Sequence, residues 1–152
     1  MPKASVKRLI ECKKKDLIDL VLDIEKYPEF VPFCFDAKIY DSRNEGDLKK
    51  IIADLTIGKG PFKDTYKSDV VFNRKEDSIF VKNIEGPLNH LSNNWIFVDK
   101  DNGITEVTFD IDFEIKNKFL NSLMIVSFQF GLEKIADAFQ NRAEQLFSSS
   151  KN

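Results

Sequence analysis

At 152 residues the chain is sized for a single domain spanning 1–152, with one core and no internal repeats. Its 23 Lys and Arg against 25 Asp and Glu leave a net charge of -2, so no global basic field draws in nucleic acid; RNA or DNA binding is disfavoured and DNA is not expected as a partner. Cys12 and Cys34 stand outside any C-x-x-C spacing and no N-terminal leader pattern is read. The longest apolar stretch, Phe119 to Leu132, is interrupted by Asn121, Ser122, Ser127 and Gln129 and falls short of the ~20 residues of a bilayer span.

In chain order, Ala4 to Glu11 alternates loosely and predicts a first strand. Lys13 to Ile24 carries Leu17, Leu20, Val21 and Ile24 at helical spacing and predicts a short amphipathic helix. Pro28 and Pro32 then break regular structure, giving a compact and unusually apolar turn from Glu25 to Cys34. From Phe35 to Lys116 the period is two. Ala37 and Ile39, then Ile51, Ala53, Leu55 and Ile57, then Phe62, Tyr66, Val70 and Phe72 alternate with polar residues. Turn signals at Arg43–Asp47, Gly58–Pro61, Lys75–Asp77, Glu85–Pro87 and Lys100–Gly103 divide this region into a meander of hairpins. In the last strand Val107, Phe109, Ile111, Phe113 and Ile115 share one face, and Thr108, Asp110, Asp112 and Glu114 the solvated one. From about Lys118 the spacing is helical through Leu120, Met124, Phe128, Leu132, Ile135, Phe139, Ala143 and Leu146, predicting a helix of about thirty residues. Phe119, Leu123, Ile125, Val126 and Phe130 add apolar surface away from that stripe. The order of elements is that of an α+β domain.

Catalytic signals are weak. His90 is the single histidine, which leaves one candidate for a histidine-based triad and none for a multi-histidine metal site; it reads best as a strand residue. Gly58-Lys59-Gly60 lacks phosphate-loop spacing and reads as a hairpin turn. Asp110, Asp112 and Glu114 share a wet strand face, and Cys34 lies in an apolar turn where burial raises a thiol pKa. No catalytic or metal-binding constellation stands out. The distinctive chemistry is apolar: 14 Phe against one Trp and three Tyr, a surplus that favours a lined cavity between sheet and helix.

The run Asp23 to Cys34 is similar to the D-x-x-x-Y-P-x-F-[LV]-P-x-C signature of the coenzyme Q-binding START-like family, a branch of the polyketide cyclase and lipid-transport superfamily. Gly86-Pro87-Leu88-Asn89-His90-Leu91 with Trp95 and Phe97, and Ala138-Phe139-Gln140-Asn141-Arg142-Ala143, resemble two further family stretches, with Leu88 standing where members often have Phe. The resemblance implies the START-like helix-grip fold, a curved antiparallel sheet wrapped around the long C-terminal helix to enclose an apolar cavity. It also implies non-enzymatic binding of ubiquinone (coenzyme Q) or a related polyisoprenoid lipid in support of respiratory electron transport, with no cofactor beyond that bound ligand. The alternative it implies is a toxin-like module that binds the large ribosomal subunit and blocks subunit association.

The residues expected to line the cavity are Phe30, Val31, Phe33, Trp95, Phe97, Phe109, Phe113, Leu120, Met124, Phe128 and Ile135. A cyclase-type reading would need inward polar groups, for which Tyr66 and His90 are the candidates. The turn Tyr27 to Phe33 and the helix start Phe119 to Phe130 carry apolar area enough to form a membrane-touching lip. The chain is expected in the cytoplasm with peripheral contact to the inner membrane. A lysine-dominated basic set, with abundant Asn, Ile and Phe, points to an AT-rich genome and a bacterial source.

Overall fold

Alternation in the first segment buries Val6 and Ile10 on one face of β1 (Lys3–Ile10) while Leu9 on the other face stays exposed. The computed structural model describes residues 3–59, 61–86 and 88–147, without the side chains of Lys3, Lys59, Phe62, Leu88, Asn89, Ile115 and residues 119–130. Helix α1 (Lys14–Leu22) sinks Leu17, Ile18, Leu20 and Val21 into the core. Its N-cap, Lys13, makes no side-chain capping bond. The first turn is held instead by Lys14, whose ammonium lies 2.7 Å from Asp77 and 3.1 Å from Asp99. These two carboxylates raise the Lys14 pKa by hydrogen bonding to its charged form.

The expected apolar turn is a 3-10 segment, Ile24–Glu29, with Pro28 inside it. Beyond it Phe33 adopts φ 69°, a left-handed conformation that costs a bulky residue on the order of 1–2 kcal/mol. Its carbonyl is held by the Gly58 N–H at 2.9 Å.

Six strands then follow as a meander: β2 (Cys34–Glu45), β3 (Leu48–Lys59), β4 (Phe62–Asn73), β5 (Ser78–Glu85), β6 (Leu88–Asp99) and β7 (Thr105–Ile115). With β1 beside β7 they form one antiparallel sheet in the order β1-β7-β6-β5-β4-β3-β2. Register shifts at Cys34/Asp36, Ile39/Asp41, Lys67/Ser68 and Leu88/His90 bend the sheet as bulges do. Pairing of β5 with β6 runs only from Ser78–Lys82 to Ser92–Ile96. Beyond it the Asn83 side chain accepts a hydrogen bond from the Leu91 N–H at 2.8 Å in place of a ladder bond.

Helix α2 (Lys118–Phe147) closes the inner face, as the helical spacing predicts. Leu132, Phe139 and Ala143 are its buried residues in the described half, with Ile135 half-buried against the core. Leu146, the last position of the expected stripe, is exposed, and Phe147 packs against the core in its place. Arg8 on β1 reaches the helix through Asp137 at 2.5 Å. The architecture is the expected curved antiparallel sheet gripping a C-terminal helix.

Candidate ligand-binding interior

The inner face of the sheet has two differently packed ends. Under the second half of α2 the Phe139 ring meets Tyr27, Phe30 and Trp95 edge-on, at centroid distances of 5.4, 5.1 and 5.1 Å. Trp95 in turn packs on Phe109 at 4.3 Å and stacks parallel to Phe97 at 6.4 Å. Arg142, one turn along from Phe139, binds Glu29 at 3.0 Å and lies 5.2 Å above the Phe30 ring. The three motif stretches therefore converge on one aromatic hub. Phe30, Val31, Trp95, Phe97, Phe109 and Ile135, all expected to line a cavity, pack in or against the cluster that contains this hub.

Toward the other end the packing loosens. Along β3, Ile51 and Ala53 are 1% and 0% exposed, whereas Leu55 and Ile57, on the same face, are only half-buried. They and Ile111 surround a smaller buried cluster of Tyr66, Leu91 and Phe113. Phe33 approaches the helix over this region: its ring lies 4.0 Å from where a β-carbon on Gly131 would stand. Leu120, Met124 and Phe128, the remaining expected lining residues, lie outside the described residues.

Few polar groups face inward, and most are committed. Ser68 donates to the Ala53 carbonyl at 3.3 Å and Thr105 to the Cys12 carbonyl at 2.7 Å. The Tyr27 hydroxyl donates to the Val21 carbonyl, and the Cys34 thiol to the Asp36 carbonyl at 3.6 Å. Burial pushes the Cys34 thiol up to about 11 and raises both Tyr27 and Tyr66, each further disfavoured from ionising by a charge on Cys34. The Tyr66 hydroxyl, on a residue 7% exposed, has no hydrogen-bond partner among the described residues. Alternation from buried Leu91 turns His90 to the outer face instead, with Nε2 3.5 Å from Asp112, so it is not the inward group that the cyclase reading needs.

A hollow of about 710 Å³ lies where β5 and β6 part, lined by Phe80, Ile84, His90 and Lys116 among others. A second, of about 480 Å³, runs over Phe80, Asn94 and Asp110. Among the described residues no group of three or more His, Cys, Asp or Glu is placed to hold a metal ion, and no helix is long and apolar enough to cross a membrane.

The family described as polyketide cyclase / dehydrase and lipid transport matches residues 11–140. The chain is similar to the ribosome association toxin RatA of Rickettsia prowazekii (strain Madrid E), 31% identical over 142 residues, 91% of this chain and 94% of that protein. It is also similar to the mitochondrial coenzyme Q-binding protein COQ10 of Dictyostelium discoideum, 28% identical over 137 residues, 88% of this chain and 64% of that one. A START superfamily protein from Mycobacterium smegmatis superposes with a TM-score of 0.81 over 95% of this chain and 98% of that chain, at 21% identity, which speaks to fold alone.

Proposed function

The chain belongs to the polyketide cyclase / dehydrase and lipid transport family, and from that premise we propose that it binds ubiquinone or a related polyisoprenoid lipid without transforming it, in support of respiratory electron transport. The observation that carries this reading is the half-buried inner face of Leu55, Ile57 and Ile111 around Tyr66, Leu91 and Phe113. Apolar side chains turned inward yet not fully covered are what a hydrocarbon chain stabilises, at ~25 cal/mol per Å² removed from water. The aromatic hub around Phe139 is the floor against which such a ligand lies, with Phe33 and Phe113 beside it. The relative named as a coenzyme Q-binding protein supports the quinone class.

Organic extraction of protein purified from a quinone-producing host, followed by mass spectrometry, tests the proposal. Co-purifying isoprenoid lipid in near-stoichiometric amount is the expected result. Folded protein that carries no such lipid and takes up none when supplied overturns it.

A second reading has its own support, since the relatives named RatA match over nearly their full length. On this reading the chain binds the large ribosomal subunit and blocks subunit association. Its net charge of -2 works against extensive rRNA contact. Sucrose-gradient profiles of cells overexpressing the protein separate the two, because a loss of monosomes in favour of free subunits appears only on the second.

A further inference from the structure

Among the described residues the polar groups that face the interior are mostly committed, and the Tyr66 hydroxyl is an exception beside the looser apolar cluster. Ser68, Thr105, Tyr27 and Cys34 each spend their donor on a backbone carbonyl, and the Trp95 Nε1–H is taken by Asn93 at 3.2 Å. The Tyr66 hydroxyl has no such partner among the described residues, although the residue is 7% exposed and its neighbours are the apolar Leu91, Phe113, Leu55 and Ile57. The hydroxyl is not among the wholly enclosed unpartnered atoms, so it borders open space within an apolar surrounding, where a bond to a ligand is stronger than the same bond in water.

The ring is also held in place from behind. Gly86, at φ 138°, packs so closely that a β-carbon on it would stand 2.7 Å from Tyr66 Cβ and 2.9 Å from Tyr66 Cα. The bulge between Lys67 and Ser68 follows directly, so this stretch of β4 is fixed by close contact on one side and by a defined kink on the other. Burial keeps the phenol protonated well above neutral pH, so it remains a donor.

We propose that the Tyr66 hydroxyl is the polar anchor of this interior, donating a hydrogen bond to a carbonyl oxygen of the bound ligand and so selecting a quinone-type ring over a plain hydrocarbon. The inference rests on the lipid-binding reading above and names the recognition element within it. An isoprenoid tail supplies apolar area and no direction; one donor at a set position fixes which end of the molecule sits beside β4.

The test uses the full chain and its Tyr66→Phe variant, titrated with ubiquinone-2 and with squalene delivered from the same carrier. The variant is expected to lose roughly 3- to 12-fold in affinity for ubiquinone-2, the range of one neutral hydrogen bond, and to bind squalene as wild type does. Infrared spectra of ubiquinone-2 bound to wild type are expected to show one carbonyl stretch lowered relative to the free ligand, and that shift is absent in the variant. An unshifted carbonyl band in wild type, or ubiquinone-2 affinity within twofold in the variant, overturns the anchor while leaving lipid binding intact. Wild type that takes up neither ligand overturns the lipid-binding reading and the anchor with it.

Discussion

A single methyl group measures how tightly the wall behind Tyr66 is drawn. Replacing Gly86 by Ala places a β-carbon against the β4 backbone and forces a side chain onto φ 138°, and neither neighbour is a flexible side-chain tip that can swing away. Gly86→Ala is therefore expected to destabilise the fold by about 2–4 kcal/mol, read from the midpoint of a urea titration at unchanged slope. Cys34 offers a pH-dependent counterpart. Its folded pKa of about 11 stands above the ordinary 9, so the folded state holds that proton more tightly than the unfolded chain does. Its contribution is fully present below pH 9 and is lost as the pH rises toward about 11. The stability difference between wild type and Cys34→Ala should accordingly shrink across that window, and a constant difference in paired denaturation curves would contradict the burial argument.

The family motifs act between elements, tying them to one another. Tyr27 and Phe30 from the 3-10 segment, Trp95 from β6 and Phe139 from α2 meet ring to ring, and Arg142 pairs with Glu29 beside them. Truncating Phe139 to Ala removes the one ring that touches all three others. A loss of about 3–5 kcal/mol in unfolding free energy is expected. Arg142→Met, which keeps a long apolar stem over Phe30 but drops the ion pair, should cost about 1 kcal/mol. The order and type of these elements were legible from periodicity alone, because a switch between periods of two and 3.6 and the Gly- and Pro-marked turns survive any detail of packing. Depth was not legible. Period two says that Trp95 and Phe113 face inward, but not that the first is locked under Phe139 while the second sits in the looser cluster around Tyr66; that division depends on where the helix crosses the sheet. Nor did composition announce the left-handed backbone at Phe33, where no Gly or Asn marks the position. Tyr66 was legible as an inward polar residue, whereas His90 missed by one step of the same alternation.

At the scale of the whole molecule, the proposed lipid ligand has to pass from a bilayer to this interior. The turn from Tyr27 to Phe33 and the first half of α2 are the two segments with more apolar residues than the core pattern asks for, and Phe33 brings them together beside Gly131. Phe33 carries the turn toward Gly131 in the middle of α2, and the sheet is loosely packed at Leu55 and Ile57, which are half-buried. On the lipid-binding reading proposed above, a lip shared by the turn and the helix start is expected to take up a hydrocarbon chain directly from the membrane interface. Two charges in this segment would make insertion unfavourable. Val126→Glu, Phe130→Glu is thus expected to reduce flotation with liposomes roughly tenfold or more relative to wild type, since each buried apolar side chain contributes about 1.5–3 kcal/mol and shallow insertion realises only part of it. The variant's circular dichroism and oligomeric state serve as the control. Equal flotation by a folded variant of unchanged assembly would remove the helix start from membrane contact and shift the route of entry to another part of the molecule, with the parting of β5 and β6 beyond Lys82 and Ser92 as the next place to look.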